Sequence, residues 1–337
     1  MAYLLYRRYP NRRPFCFGMD LHRRIRRSAE KSHFAGVGEA DFIVHHTISL
    51  TNPKFYDIMT VNFSFSSKTI AFLQKGTTMA LLELNYRSSA LRMNVTVNVI
   101  LPNPSHLMKE DAEPYKTLYL FHGLSDDHSA WLRYSCIERY ATERGIAVVM
   151  PSVGRFWYTD TVTSGPYLTF VTEELPRVCR SYFKGISDKR EDTMVAGLSM
   201  GGYGAVKAAL THPDVFSACA TLSGALDIVS FGERPDVINE WRGIFGLELT
   251  NTAQMEGGPH DLLHLLRSAK EKKDPLPRMF VWCGEDDFLL EQNRHFRAVL
   301  NELEIPHYYA ESEGNHSWKW WDLHIQDALD YMLDQNQ

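Results

Sequence analysis

The sequence predicts an α/β fold in which a mostly parallel central sheet is flanked by helices and carries a short cap region. Three observations lead there. From Met79 onward, short apolar runs alternate with helical patterns, the signature of strands joined by crossover helices. Between one such run and one such helix lies Gly197-Leu198-Ser199-Met200-Gly201, a Gly-x-Ser-x-Gly motif in strand–turn–helix context. Acidic residues and histidines then follow this serine in loops after later strands, at the carboxyl ends where sheets of this class bind ligands.

Taken in order, Leu81 to Tyr86 reads as a strand. Met93, Val95, Val97 and Val99 alternate with Asn94, Thr96 and Asn98, the period of a half-buried strand. Thr117 to Phe121 is a short apolar strand that runs into His122-Gly123-Leu124-Ser125. Trp131 to Thr142 has a helical pattern, and Ile146 to Met150 is a buried strand stopped by Pro151. Pro166 suits the first turn of a helix reaching Phe183. Met194 to Ala196 is a strand and Met200 to Leu210 a helix, followed by a strand at Phe216 to Leu222. The irregular stretch from Ser223 to Gly258 holds one or two short helices and forms the cap. Asp261–Lys270, Glu291–Leu303 and Trp318–Leu333 are helical, and Arg278–Trp282 and His307–Ala310 are strands. No internal repeat or low-complexity tract interrupts the series.

A strand that turns into a helix within one residue forces the residue at the turn into a strained conformation, and side chains on its neighbours would collide. Glycines flanking Ser199, with Gly202 beyond, answer that demand. The strain holds the hydroxyl clear of the sheet at the positive end of the following helix. A serine that merely capped the helix would need no glycine on both sides.

A serine hydroxyl is a weak nucleophile without a base, usually a histidine oriented by a carboxylate. In α/β-hydrolases the chain order is Ser, acid, His. Downstream of Ser199 the acids cluster in Gly284-Glu285-Asp286-Asp287-Phe288, where Asp287 and Asp286 both stand as candidates. Of the later histidines, His295 and His324 fall in helices and His307 in a strand. His316 lies in the loop before the last helix and is the base. An oxyanion hole needs two backbone N–H donors. The residue after the nucleophile, Met200, supplies one, and Leu124, on the loop after the Thr117–Phe121 strand, supplies the other. Trp131, Trp157, Tyr158, Trp241 and Trp318 lie near the strand ends and are candidates to wall an apolar acyl pocket, although each also suits an ordinary core position.

The 337 residues are 44% hydrophobic and carry a net charge of −5, which argues against nucleic acid as the main partner. No apolar run is long enough to span a membrane. Five cysteines, Cys16, Cys136, Cys179, Cys219 and Cys283, form no Cys-x-x-Cys and suit a reducing compartment, so the expected location is cytoplasmic. No His/Asp cluster has ligand spacing, so no metal or other cofactor is expected. The expected partner is a small-molecule ester, with no nucleic acid and no membrane, and with room for a homo-oligomer. Residues 1–78 differ from the rest. Residues 1–35 carry nine Lys/Arg against Asp20 and Glu30, and residues 42–74 lack clear turn punctuation. This stretch is expected to be an N-terminal extension, disordered or lying upstream of a biological start at Met79, with 79–337 as the catalytic domain.

From Met79 to the C-terminus the chain resembles the tributyrin esterase family, within the esterase D and S-formylglutathione hydrolase group of α/β-hydrolases. Among the stretches that carry the resemblance are Phe121-His122-Gly123-Leu124, Trp157-Tyr158-Thr159-Asp160-Thr161, Ala196-Gly197-Leu198-Ser199-Met200-Gly201-Gly202-Tyr203-Gly204 and Ser223-Gly224-Ala225-Leu226. Cys283-Gly284-Glu285 with Asp287-Phe288-Leu289, and Gly314-Asn315-His316-Ser317-Trp318, complete them. The resemblance implies an α/β-hydrolase fold and hydrolysis of short-chain acyl esters by Ser199, Asp287 and His316. In that family the carboxylate directly precedes Phe-Leu, which favours Asp287 over Asp286. S-formylglutathione hydrolases usually have histidine before the serine, and Leu198 stands there instead, which disfavours a glutathione thioester. An acyltransferase on the same scaffold is the alternative. A binding module that kept the fold would show a broken triad.

Overall fold

A computed structural model describes residues 44–51, 58–65, 79–102, 113–232 and 234–334. The chain divides into two units, Met1–Gly76 and Thr77–Gln337. In the first, β1 (Val44–Thr51) and β2 (Ile58–Phe65) pair antiparallel, Val44 opposite Phe65 and Thr51 opposite Ile58. The expectation of disorder for residues 1–78 otherwise falls outside the described residues.

The second unit is built on eight strands: β3 (Ala80–Arg87), β4 (Asn94–Leu101), β5 (Thr117–Phe121), β6 (Ala147–Pro151), β7 (Thr193–Leu198), β8 (Ala218–Leu222), β9 (Arg278–Gly284) and β10 (His307–Ser312). Their order across the sheet is β10-β9-β8-β7-β5-β6-β4-β3. Strands β5 to β10 pair in parallel, while β3 and β4 close one edge antiparallel. The strand period of two sorts the core. Tyr119, Phe121, Val149, Val195 and Val281 pack on one face; Leu118, Leu120, Val148, Met194, Ala196 and Trp282 pack on the other.

Helices cover both faces. α1 (Ala130–Tyr134), α2 (Ile137–Arg144) and α9 (Trp318–Leu333) lie on the Leu118 face through Trp131, Ile137, Tyr140, Trp321, Ile325 and Leu329. The opposite face receives α3 (Tyr167–Thr169), α4 (Leu175–Tyr182), α5 (Met200–Thr211), α7 (Leu262–Lys272) and α8 (Leu290–Glu302). The cap between β8 and α7 holds one longer helix, α6 (Pro235–Phe245), and two 3₁₀ turns, Ile228–Phe231 and Thr252–Met255.

Two elements depart from the pattern read locally. The single helix expected from Trp131 to Thr142 is two, because Ser135 swings to extended backbone and Asp322 Oδ1 takes the Cys136 N–H at 2.8 Å. The helix after Pro166 passes through a π-helical turn, Phe170–Glu174. There the buried Glu174 carboxylate accepts from Ser88 Oγ, Ser89 N and Ala90 N at 2.7–2.9 Å. Strand β5 runs on to β6 on one side while its other neighbour, β7, runs on to β8 on the opposite side, so the connections leave the carboxyl ends of β5 and β7 in opposite directions. That divergence opens a crevice where the β5 and β7 loops meet.

Candidate active site

Ser199 occupies the one-residue turn between β7 and α5, with φ 52° and ψ −118°. A non-glycine residue there costs about 1–3 kcal/mol and persists only when its surroundings over-determine it. Here Ser199 N–H donates to Leu222 O at 3.0 Å, and Ser199 O accepts from Tyr203 N at 3.1 Å and Ala225 N at 3.2 Å. A Cβ on Gly197 would sit 2.3 Å from Gly201 O, and one on Gly202 would sit 2.4 Å from Thr221 Oγ1. The glycines therefore serve close approach of helix to strand, as the motif requires. The Ser199 hydroxyl makes no helix-capping bond; its partner is His316 Nε2, 3.0 Å away.

His316 arrives on the loop after β10, and Asp287 on the loop after β9. The two loops are tied to each other, Glu285 N donating to Ser312 O at 2.9 Å and Asp286 N to Gly314 O at 2.8 Å. His316 Nδ1 lies 2.9 Å from Asp287 Oδ2 and 3.1 Å from Oδ1. Burial pushes the Asp287 carboxyl up, yet hydrogen bonding and charge from His316, the Leu289 N–H and the Ser223 hydroxyl outweigh it and hold the group below the usual carboxylate range. An ionised Asp287 accepts a hydrogen bond from Nδ1–H, which leaves Nε2 with a free lone pair facing the Ser199 hydroxyl. Asp286 is exposed, so of the two acids the structure turns Asp287 inward. The imidazole is wedged between the Phe288 ring (4.5 Å between centroids) and the edge of Trp321 (4.9 Å). Trp321 Nε1 in turn donates to Ser223 Oγ at 3.1 Å.

The β5 loop reaches the nucleophile from the other side. A Cβ built on Gly123 would lie 3.8 Å from Ser199 Cβ and 2.6 Å from Leu198 Cδ1, so the backbone entering Leu124 runs beside the serine. Asp126 N donates to Gly123 O at 3.3 Å, closing a turn with Leu124 and Ser125 at its centre. The Leu124 and Met200 amides donate to no other acceptor among the described residues. His122 holds the turn: its Nδ1 donates to Gly123 O at 2.8 Å, and Nε2 accepts from Val153 N at 3.1 Å. Burial lowers the His122 pKa to about 4, against a smaller upward pull from the Gly123 carbonyl, so the ring is neutral.

Four of the five aromatics expected to wall an acyl pocket do something else. Trp131, Trp157, Tyr158 and Trp241 are 1%, 5%, 0% and 3% exposed, and protein atoms occupy their faces. Trp131 Nε1 donates to Phe121 O at 3.0 Å and Tyr158 OH to His122 O at 3.0 Å; these two brace the strand end that leads into the turn. Trp157 and Trp241 meet edge-to-face at 4.8 Å and pack with Phe245, joining the cap to the loop after β6. Trp318 is half-buried, edge-on to Trp131 at 5.0 Å and Trp321 at 5.5 Å.

Sequence reasoning missed three residues that matter to this geometry. His122 was read only as part of a loop. Phe288 is 73% exposed against the His316 ring; its place directly after the acid was the available signal. Lys207, two turns along α5, is 1% exposed. Its Nζ donates to Thr159 Oγ1 (2.5 Å), His260 Nδ1 (2.9 Å) and Tyr203 OH (3.3 Å), and burial pushes it down to about 7. Nothing in a helix of alanines and glycines announces such a tie.

Comparison with known proteins identifies the family and the fold. Residues 88–332 match the family described as "Putative esterase". An acetyl esterase of Caldicellulosiruptor saccharolyticus is 33% identical over 266 residues, 75% of this chain and 98% of that protein. Among solved structures, a substrate-bound fluorophosphonate-binding serine hydrolase of Staphylococcus aureus superposes with a TM-score of 0.69 at 32% identity, covering 76% of this chain and 99% of that one. The S-formylglutathione hydrolase of the same organism gives 0.68 at 32% identity, over 76% of this chain and 100% of its own. The fold is that of the α/β-hydrolases.

Proposed function

This chain belongs to the esterase family, and from that premise we propose that it hydrolyses short-chain acyl esters through Ser199, His316 and Asp287. The observation that carries the proposal is the continuous line of contacts from the Ser199 hydroxyl to His316 Nε2 at 3.0 Å and from His316 Nδ1 to the Asp287 carboxylate at 2.9 Å. His316 accepts the hydroxyl proton as Ser199 Oγ attacks the ester carbonyl. The Leu124 and Met200 amides receive the oxyanion, each such donor worth about 3 kcal/mol of barrier. Collapse expels the alcohol, protonated by His316, and leaves an acyl-serine. Water, deprotonated by the same imidazole, attacks the acyl carbon and releases the acid. Asp287 stays ionised throughout and stabilises the imidazolium.

The assignment to acetyl and butyryl groups is supported by the acetyl esterase relative and by a cap holding one longer helix and two 3₁₀ turns. The catalytic unit is assigned to residues 79–337. Cytoplasmic residence belongs to the same reading, supported by the free thiols of Cys136, Cys179, Cys219 and Cys283. Among the described residues no helix is long and apolar enough to cross a membrane.

A thioester reading is favoured by one observation, the S-formylglutathione hydrolase neighbour at 32% identity. Leu198, the residue whose identity disfavoured it, is buried against Gly123. A series of p-nitrophenyl esters from acetyl to octanoyl, run beside S-formylglutathione, tests both. The expected result is a kcat/KM maximum at acetyl to butyryl and a fall of about tenfold or more by octanoyl. A maximum at octanoyl would overturn the chain-length assignment, and a kcat/KM for the thioester above that for every ester would replace the ester reading. Adding an alcohol acceptor tests acyl transfer in the same assay: hydrolysis predicts free acid as the main product.

A further inference from the structure

The turn that carries the Leu124 amide is closed within itself by one long backbone bond and by the Asp126 carboxylate reaching back to the Gly123 N–H. The backbone bond, Asp126 N to Gly123 O, is 3.3 Å, at the long end for an N–H···O contact. Its third residue, Ser125, has φ 72°, a position that turns of this kind normally give to glycine. Left-handed backbone is unfavourable for a serine, and an external contact orients this one. That contact is Arg155. Its Nη1 donates to Ser125 Oγ at 2.6 Å, while Nε and Nη2 donate to the two oxygens of Glu240, each at 2.6 Å. Glu240 lies on the cap helix α6. The C-terminal end of that helix is fixed separately, Thr163 N and Oγ1 donating to Gly243 O at 3.1 and 2.9 Å.

We propose that Arg155 is a positioning residue for the hydrolytic reaction: its guanidinium clamps the Gly123–Asp126 turn to the cap helix and so holds the Leu124 amide where the oxyanion forms. This rests on the reading of Leu124 as an oxyanion donor. The upstream side of the turn is already held by His122 and Tyr158; Arg155 holds the downstream side and couples it to the cap. Only a planar fork can do this. Two parallel N–H bonds fix the plane on Glu240, and the third nitrogen then has one direction, toward Ser125. A lysine at 155 could serve Glu240 or Ser125 but not set their relative geometry. Arg155 and Glu240 are 46% and 32% exposed, so the pair adds little to global stability and its effect should appear in the chemical step.

The test is steady-state kinetics on full-length Arg155→Ala, Arg155→Lys, Glu240→Gln, Ser125→Ala and the Arg155→Ala/Ser125→Ala double variant. Rates are expressed per active serine counted with a phosphonate titrant, and melting temperatures are recorded alongside. The expected result is a kcat about tenfold lower in Arg155→Ala with KM within about twofold. Arg155→Lys gives no rescue, Glu240→Gln shows a smaller loss, and the melting temperature is unchanged. Ser125→Ala loses rate in the same direction, and the double variant loses no more than the worse single one. Additive losses, rescue by lysine, or a raised KM with kcat intact would overturn the proposal. If Arg155→Ala does not fold, the same split is read from Ser125→Ala and Glu240→Gln, and a wild-type kcat in both would overturn it. Failure of the underlying site reading would show differently, as a wild-type enzyme that forms no phosphonate adduct at Ser199.

Discussion

His122 shows how a single buried group links the site to the stability of the fold. Its ring must be neutral to donate from Nδ1 to the Gly123 carbonyl and accept at Nε2 from Val153. Burial lowers its folded pKa to about 4, below the ordinary 6.5. The unfolded chain therefore binds more protons between those values. The stability this ring contributes is complete above pH 6.5 and is lost as pH falls toward 4, amounting to about 2 kcal/mol by pH 5. His122→Asn keeps a donor and an acceptor but does not titrate. Urea unfolding at pH 7 and pH 5 should show the wild type losing about 2 kcal/mol more than the variant across that interval; equal losses would mean that His122 is not held neutral by the fold. Residue by residue, the site was legible where chemistry is tied to local pattern. Ser199 stood out by its glycines and His316 by its loop. Asp287 and Asp286 could not be separated by spacing alone, because which carboxylate points inward depends on the Gly284 turn and on His316, 29 residues further on. The aromatic residues misled for a related reason. A tryptophan near a strand end reads the same whether its face meets substrate or, as for Trp157, meets Trp241 and Tyr203.

At the level of elements, β5 and α9 were read to the residue because each is punctuated locally, β5 by the His122-Gly123 turn and α9 by Ser317 before its first residue. The misread boundaries are those decided at a distance. Trp131 to Thr142 keeps a helical pattern through Ser135, yet Asp322 on α9 captures the Cys136 amide, 186 residues away in sequence. The helix after Pro166 carries no sign of its π turn, which coincides with Glu174 receiving three donors from residues 88–90. The cap is the extreme case. Its one longer helix is fixed by Arg155 and Thr163, both in the loop between β6 and α3, so its own sequence shows little of where it lies.

Across the whole molecule, the alternation of strands and helices was enough to predict a parallel sheet, and the order Ser, Asp, His was enough to place the three groups on loops at one end of it. What remained invisible was the antiparallel edge of β3 and β4, because alternation along one strand does not reveal its neighbour's direction. Every atom named in the hydrolytic cycle belongs to the unit Thr77–Gln337. A chain beginning at Met79 is accordingly expected to keep its kcat/KM within about twofold of the full chain, whereas a loss of about tenfold or more at equal folded fraction would place residues 1–78 in the catalytic unit. The account as a whole depends on Ser199 carrying the acyl group between two half-reactions. Rapid acid quenching of a p-nitrophenyl butyrate reaction, followed by mass spectrometry of the peptides, measures this directly. The expected result is a butyryl group on the Ser199 peptide of the wild type, accompanied by a burst of p-nitrophenol, with both absent in a folded Ser199→Ala variant. Turnover retained by that variant, or the acyl group on any other residue, would contradict it.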